Sequence, residues 1–267
     1  MKRFSLNSAT TKGWPLPELV AGCAAAGVTG VGLWREEVQE YGVRRAAALV
    51  GDAGLTVTSL CRGGFFQQDG WLDDNRRAID EAAALGAPAL VLVSGGLPPG
   101  SRDVDAARAH VGDALGALVP HALDAGVQLA VEPLHPMFCS DRCVVATLGQ
   151  ALDLAEPYPA AAVGVVVDTY HVWWDDAVWA QIARAGAAGR IACFQVADWV
   201  TPLPAGVLLG RGLPGAGCVE LRRFREAVDA AGYAGPVEVE VFDAALWERP
   251  GADVLAEALA GYLTHVA

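Results

Sequence analysis

Short apolar runs and longer helical patterns alternate eight times along this chain of 267 residues. The runs are rich in small and β-branched residues, which is typical of strands buried on both faces of a parallel sheet. Eight strand–helix units in a chain of this length favour a closed (β/α)8 barrel over an open doubly wound sheet. The predicted strands are Phe4–Asn7, Gly30–Trp34, Thr56–Cys61, Ala89–Ser94, Gln128–Glu132, Gly164–Asp168, Ile191–Val196 and Val237–Phe242.

The helices between these strands carry their own start and stop signals. The clearest helical pattern runs from Asp103 to Leu123, with Ser101 as its predicted N-cap. Its apolar residues keep a spacing of three or four and form one stripe, made of Val104, Ala107, Val111, Leu115, Leu118 and Ala122. Four predicted helix ends share Ala-Gly followed by a larger apolar or aromatic residue, because glycine adopts the left-handed conformation that ends a helix. They are Ala26-Gly27-Val28, Ala53-Gly54-Leu55, Ala125-Gly126-Val127 and Ala231-Gly232-Tyr233.

The composition indicates a folded protein. Hydrophobic residues make up 53% of the chain and charged residues 19%, which argues against disorder. No linker divides the sequence, so we expect residues 1–267 to form a single α/β domain. No apolar run approaches the roughly 18 residues of a membrane span, and the N-terminus lacks the apolar centre of a signal peptide. We therefore expect a cytoplasmic protein without a membrane partner, and reduced cysteines, since none of the six forms a CxxC pair.

The formal net charge of −12 argues against nucleic acid as a partner. Proteins that bind the phosphate backbone gather Lys and Arg on one face, and this chain contains no basic run. A small molecule is the expected partner. The least regular segment, 198–217, contains three prolines and five glycines, and a loop of that length inside a compact domain is typically functional.

Oxygen-bearing side chains stand at the ends of four consecutive predicted strands. They are Glu132, Asp168, Gln195 and Glu240. In a (β/α)8 barrel the active site lies at the C-terminal ends of the strands, and three carboxylates there repel one another unless a cation lies between them. The pattern therefore predicts one divalent metal ion. All-oxygen ligands favour Mn²⁺ or Mg²⁺, with Co²⁺ or Zn²⁺ as alternatives.

Two other interpretations of these carboxylates stay open. Glu132 and Asp168 could instead form salt bridges with Arg62 or Arg211 inside the barrel mouth. Glu238 lies two residues before Glu240 and faces the same side of the strand. We choose Glu240 as the ligand because it lies nearer the strand's C-terminal end, and we expect Glu238 deeper in the barrel, bound to an arginine or a water.

The motifs EPLHP, DTYH, FQVAD, GRGLPGAG and GPVEVEVF together resemble the xylose-isomerase-like TIM-barrel superfamily of sugar isomerases, epimerases and dehydratases. The similarity runs over essentially the whole chain, and the last four strands carry the specific motifs. The resemblance implies a metal held by Glu132, Asp168, Gln195 and Glu240. Many epimerase-like members carry histidine where this chain has Gln195, and glutamine there is similar to the hydroxypyruvate isomerase and some dehydratase branches.

Further pocket residues follow from the motifs and the strand ends. His171 matches the family's DTxH pattern, which implies a bond to a substrate hydroxyl, and Arg211 lies where related proteins place an arginine. His135 and Arg62 lie just past their predicted strands and are candidates for substrate binding. For each of these four, a purely structural role is an open alternative. Since no basic cluster is visible beyond Arg211, the sequence favours an unphosphorylated substrate.

The expected activity is that of a metal-dependent isomerase or epimerase in carbohydrate metabolism. Its substrate would be a ketose, sugar or cyclitol-like hydroxy-carbonyl compound, from which a proton is abstracted to give a metal-bound enediolate. Glu132 and Glu240 would act as base and acid on the two faces of the carbon. The alternatives are a metal-dependent dehydratase of the inosose or dehydroshikimate type, and a non-catalytic sugar-binding barrel. A homo-oligomer is left open.

Overall fold

Eight parallel strands close into a barrel in the computed structural model, which describes residues 3–267. Each barrel strand pairs with the next in the chain, and the last pairs with the first, Phe4 opposite Val237. The predicted TIM-barrel fold is confirmed. The barrel strands are β1 (Phe4–Asn7), β2 (Gly30–Trp34), β3 (Thr56–Gly64), β4 (Ala89–Val93), β5 (Gln128–Val131), β6 (Val163–Asp168), β7 (Ile191–Val196) and β10 (Val237–Val239).

Three strands have the predicted bounds, and the others differ at their ends. β3 continues three residues beyond Cys61, so Arg62 lies within the strand and not past it. β5 and β10 are shorter than predicted, which leaves Glu132 and Glu240 one residue beyond the last paired residue. The residues directly after these strands are buried like the strands themselves. The apolar pattern in the sequence therefore extends beyond the paired residues.

Helices surround the barrel and connect successive strands. They are α1 (Leu16–Ala25), α2 (Arg35–Tyr41), α3 (Val43–Asp52), α4 (Trp71–Leu85), α5 (Val104–Ala125), α6 (Leu148–Ala155), α7 (Thr169–Val172), α8 (Val178–Ala187), α9 (Leu221–Ala230), α10 (Ala244–Trp247) and α11 (Gly251–His265). Short 3-10 helices cover Ser8–Thr11, Pro136–Phe138 and Val207–Leu209. Across residues 3–267, no helix combines the length and apolarity needed to cross a bilayer.

The start of α5 differs from the prediction. Asp103 is the N-cap, and its carboxylate accepts a hydrogen bond from the Ala106 N–H at 2.9 Å. The Ser101 hydroxyl accepts from the Asp103 N–H at 3.2 Å and so shapes the turn before the helix. A capping side chain must reach the N–H groups of the first turn, and Ser101 lies too early in the chain to do so. The predicted stripe is buried from Ala107 onward, whereas Val104 is half-buried.

The four Ala-Gly helix ends are all present. Their glycines have φ between 68° and 90°, and the next N–H donates back to the helix's last turn, as from Val127 to Ala122 at 3.0 Å. The same arrangement at Gly86, which follows Leu85, and at Gly189, which is followed by the charged Arg190, was not predicted.

The long loop after β7 folds back as a two-stranded antiparallel ribbon. β8 (Asp198–Trp199) pairs with β9 (Arg211–Gly212). The Asp198 carboxylate fixes the ribbon's far side by accepting from the N–H groups of Gly215 and Val219, both at 3.0 Å. This fold-back places Arg211 over the end of the barrel. The loop therefore brings a charged residue to the predicted site, which agrees with the expectation of a functional loop.

Replacing Gly64 at the end of β3 by alanine tests how tightly the barrel mouth is packed. Gly64 has φ 102°, and an added Cβ would overlap the backbone carbonyl oxygen of Val93. We expect Gly64→Ala to lower the free energy of unfolding by about 3 kcal/mol or more. Gly54→Ala is the matched control, since Gly54 has φ 72° with no atom within 4 Å of an added Cβ and should cost only about 1 kcal/mol. Denaturant unfolding of both variants is the measurement, and equal losses would contradict the expectation.

Candidate active site

The four predicted ligands all lie in the C-terminal mouth of the barrel. Asp168 is the last residue of β6, Gln195 lies in β7, and Glu132 and Glu240 directly follow β5 and β10. None of the four is more than 5% exposed. The structure brings Glu132, Asp168 and His171 together, with one oxygen or nitrogen atom of each within 4.8 Å of the others.

Arg211 connects the carboxylates of Asp168 and Glu240. Its Nη1 lies 3.5 Å from Asp168 Oδ2 and 3.3 Å from Glu240 Oε2. The guanidinium packs over the rings of Tyr170 and Phe242, 4.7 and 4.6 Å from their centroids. Of the two carboxylates in the salt-bridge interpretation, Asp168 pairs with Arg211, whereas Glu132 pairs with neither Arg211 nor Arg62 among the described residues.

His171 is fully buried beside this group. Its Nδ1 accepts a hydrogen bond from the His135 backbone N–H at 3.1 Å, which fixes the orientation of the ring. Nε2 lies 3.8 Å from Asp168 Oδ2 and 3.1 Å from Arg211 Nη2. Burial, and then the charge of Arg211, holds the pKa of His171 well below its usual range, so the ring is neutral at pH 7.

His135 contacts this group through its backbone. Its imidazole packs against Trp199 and Trp174, with centroids 4.9 and 5.6 Å away, and its Nδ1 accepts from the Met137 N–H at 3.3 Å. The structure thus gives the His135 ring an aromatic packing role and gives its N–H the task of orienting His171.

Glu238 is bound by neutral donors, and not by the arginine or water that we expected. Asn7 Nδ2 donates at 2.7 Å, Thr58 Oγ1 at 2.6 Å, Ser59 Oγ at 2.9 Å and Gln195 Nε2 at 2.9 Å. Gly32 makes room for this carboxylate, because an added Cβ there would lie 2.5 Å from Glu238 Cδ. Sequence reasoning missed Asn7, Thr58 and Ser59, although polar residues inside otherwise apolar strands were a visible signal.

The amide of Gln195 is oriented by Glu238. Since Nε2 donates to Glu238, the amide oxygen is directed elsewhere, and Oε1 is buried without a hydrogen-bond partner among the described residues. A buried unpaired acceptor is costly and typically marks a missing partner such as an ion. Together with three buried carboxyl groups, this oxygen makes a donor set that fits a hard divalent cation.

Burial and mutual repulsion raise the pKa values of the three carboxyl groups. The pKa of Glu132 lies well above its usual range because of burial and the neighbouring charges of Glu240 and Asp168. Burial raises the pKa of Asp168 to about 6 and that of Glu240 to about 7, while Arg211 opposes both shifts. Without a cation, the group therefore retains protons at neutral pH.

Two cavities adjoin this group. The inner one is lined by Glu132, Glu240 and Arg211, together with Trp34, Arg62 and Arg142. The larger one, of about 580 Å³, lies on the outer side of Arg62 between β3 and α4 and includes none of the four predicted ligands. Arg62 lines both cavities, so it separates the carboxyl group cluster from the outer cleft.

A closed parallel barrel with buried carboxylates at its C-terminal mouth defines a class of α/β barrels that carry a site for a cation. The sequence matches the family model for the xylose isomerase-like TIM barrel over residues 20–264, and the chain belongs to this family. The predicted family membership is confirmed.

Two curated relatives are named 3-dehydroshikimate dehydratase. The protein of Pseudomonas aeruginosa is 29% identical and that of Pseudomonas putida 26% identical, and each alignment covers 85% of this chain. The chain spans about a third of the length of these relatives, with 36% of each covered. The expectation of an enzyme is confirmed at the level of these relatives.

Solved structures give the same fold. A protein of Sinorhizobium meliloti 1021 has a TM-score of 0.95 and 44% identity, with 98% of each chain covered. An IolI protein described with a bound zinc atom has a TM-score of 0.83 and 19% identity, covering 99% of this chain and 98% of the other. The 3-keto-D-glucoside 4-epimerase of E. coli has a TM-score of 0.76 and 20% identity, covering 97% and 100%.

The raised pKa of Glu240 predicts how the stability of the metal-free protein depends on pH. A carboxyl group with a pKa of about 7 in the folded state and 4.5 ordinarily binds more protons when folded, so its stabilising contribution is present below pH 4.5 and is lost as the pH rises towards 7. We expect wild type to lose up to about 1.4 kcal/mol per pH unit more than Glu240→Gln in this window. Urea unfolding at several pH values in the presence of chelator measures this, and equal slopes would contradict it.

Proposed function

We propose that this chain is a divalent-metal-dependent isomerase or epimerase that acts on a ketose, sugar or cyclitol-like hydroxy-carbonyl compound by proton abstraction. The observation that carries the proposal is the buried group at the barrel mouth, three carboxyl groups and the unpaired Oε1 of Gln195. A non-catalytic sugar-binding barrel would have no need to bury several carboxylates that repel one another. We also propose that residues 1–267 act as one domain.

Glu132, Asp168, Gln195 and Glu240 would hold the ion. A divalent ion bound there polarises the substrate's carbonyl oxygen and stabilises the negative charge that develops when the adjacent carbon loses its proton. The oxygen donors favour Mn²⁺ or Mg²⁺. The zinc in the IolI structure supports a divalent ion at this site and keeps Zn²⁺ and Co²⁺ as alternatives to Mn²⁺ and Mg²⁺.

Glu240 and Glu132 are the proposed base and acid. A pKa of about 7 gives Glu240 a substantial carboxylate fraction at neutral pH, together with enough basicity to accept a carbon-bound proton. Glu132 holds its proton more tightly and is suited to return one. Trp34 Nε1 donates to Glu240 Oε1 at 3.3 Å and so restricts the carboxylate's rotation.

His171 and Arg211 are the proposed substrate-binding groups beside these carboxyls. Nε2 of a neutral His171 faces Asp168 and Arg211 and would lie beside a substrate oxygen. Arg211 stays charged and offsets negative charge that develops on that oxygen. Both side chains are fixed before substrate arrives, His171 by the His135 N–H and Arg211 by two carboxylates and two aromatic rings.

Dehydration is the second candidate function. It is favoured by the two curated relatives named 3-dehydroshikimate dehydratase. Proton abstraction next to a carbonyl is common to both activities, and expulsion of a β-hydroxyl then replaces reprotonation. Product analysis separates them, because loss of water from such a substrate creates a conjugated product that absorbs ultraviolet light.

Metal content is the first test of the proposal. We expect about one divalent ion per chain in wild type purified without chelator or metal-affinity tag, and at least a tenfold weaker retention in Asp168→Asn. Asp176→Asn is the matched control, since Asp176 is exposed and lies eight residues further along the same connection. Elemental analysis with metal titration measures this. Absence of metal uptake by wild type would reject the proposal.

Removing the proposed base tests the proton transfer itself. We expect Glu240→Gln to lower the rate of solvent deuterium incorporation into a turned-over hydroxy-carbonyl substrate by about 10²- to 10⁴-fold, with a folded and metal-loaded protein. Glu248→Gln, at an exposed site close by in sequence, should leave the rate unchanged. Near-normal exchange in Glu240→Gln would exclude Glu240 as the base.

A further inference from the structure

Two arginines in the inner cavity have no partner for their charge among the described residues. Arg62 and Arg142 both line the cavity that contains Glu132 and Glu240. Within residues 3–267, neither guanidinium forms an ion pair within 4.0 Å or a hydrogen bond, and the Nε atom of each is buried without a partner. Arginine does not lose its proton in proteins, so both charges are present in the cavity.

Other arginines in the interior of this protein have partners for at least part of the guanidinium group. Arg35 pairs with Asp74 at 3.0 Å and with Glu81 at 2.6 Å. The Nε of Arg190 is also buried without a partner, but its two Nη groups donate to three backbone carbonyls, at 2.7, 2.7 and 3.4 Å. Half-buried arginines are usually paired in this way, because an unpaired buried donor costs free energy. Arg62 and Arg142 depart from the pattern of their own chain.

The two charges also act on each other. Burial lowers the pKa of Arg62, the nearby charge of Glu36 opposes the shift, and the charge of Arg142 makes a smaller contribution that lowers the pKa further. Like charges placed close together destabilise the protein that holds them. The arrangement is therefore costly in the absence of a ligand, as is common at binding sites.

Local packing holds both arginines in place. The Arg62 guanidinium lies over the Phe65 ring, 4.1 Å from its centroid, and its backbone belongs to β3. The loop that carries Arg142 is fixed to the barrel by the next two residues. The Cys143 thiol donates to the Glu132 carbonyl oxygen at 3.5 Å, and the Val144 N–H donates to Gly95 at 2.9 Å.

We propose that Arg62 and Arg142 bind an anionic group of the substrate, a carboxylate or a phosphate, while the carbonyl end of the substrate lies at Glu132 and Glu240. The proposal rests on the proposed function and adds the substrate's charge to it. The sequence-based preference for an unphosphorylated substrate rested on the absence of a basic cluster, and Arg62 and Arg142 form no visible cluster because they are 80 residues apart in the sequence. Two guanidinium groups would also overcome the repulsion between an anion and the neighbouring carboxylates.

Equilibrium binding of matched probe pairs tests this without any turnover. Shikimate against its methyl ester differs in one carboxylate, and ribitol 5-phosphate against ribitol differs in one phosphate. Neither pair contains the ketone or aldehyde on which the proposed reaction acts. Titration calorimetry with wild type, Arg62→Gln, Arg142→Gln and the exposed control Arg102→Gln measures all four probes.

We expect the anionic member of one pair to bind wild type at least tenfold more tightly than its neutral partner. Loss of a charge-assisted contact in Arg62→Gln or Arg142→Gln should weaken that probe by about 10- to 100-fold, with the neutral partner and Arg102→Gln unaffected. The pair that shows the preference identifies the anion as carboxylate or phosphate.

Equal affinity within both pairs, a preference that survives in both variants, or no binding of either anion would overturn the proposal. Each of these results leaves the metal-content and deuterium-exchange experiments unaffected. Failure of those experiments, with the charge preference intact, would instead reject the proposed chemistry and keep the anion site.

Discussion

The interior of this barrel is organised by the repulsion between carboxyl groups held out of water. Glu132, Asp168, Glu238 and Glu240 are all at most 5% exposed and come from β5, β6 and β10 and the residues directly after them. Burial alone makes a negative charge costly, and each further charge nearby adds to that cost. The chain meets this constraint with Arg211, with a proton retained on Glu132 and in part on Glu240, and with a shell of neutral donors around Glu238.

Gln195 lies between the hydrogen-bonded carboxylate of Glu238 and the carboxyl groups of the predicted cation site. The shell around Glu238 needs every donor it has, so it fixes the amide nitrogen of Gln195 on the deep side of the barrel. The amide oxygen then has no partner in the protein. A histidine at this position would present one nitrogen to the site, whereas glutamine needs Glu238 to decide which of its two ends faces the cation. Gln195 and the buried Glu238 therefore depend on each other. Because neutral donors, Gln195 among them, bind the Glu238 carboxylate, that carboxylate has no arginine partner.

Local signals in the sequence were sufficient for the barrel and for the residues at its mouth. Alternating apolar runs located all eight strands, and glycine after alanine located four helix ends, because both patterns depend on neighbouring residues only. The contacts of Glu238 with Asn7, Thr58 and Ser59 could not be read in the same way, since they join residues 179 or more positions apart. Arg142 was missed for a similar reason. It lies in an irregular loop, and only the folded chain shows that Cys143 fixes this loop beside Glu132.

The distribution of charge at the mouth bears on why isomerases and dehydratases share this kind of site. Removing a proton next to a carbonyl requires a base of near-neutral pKa and a positive charge near the oxygen, and both follow from burying Glu240 beside Arg211. Whether the resulting carbanion is reprotonated or expels a hydroxyl depends on what the substrate carries at the β-carbon and on how it is turned in the pocket. Arg62 and Arg142 line the same cavity as Glu132 and Glu240, and an anionic group fixed there would set that orientation. In the proposed reaction the carboxylates would remove the proton, and the two unpaired arginines would orient the substrate and so select the bond that breaks next.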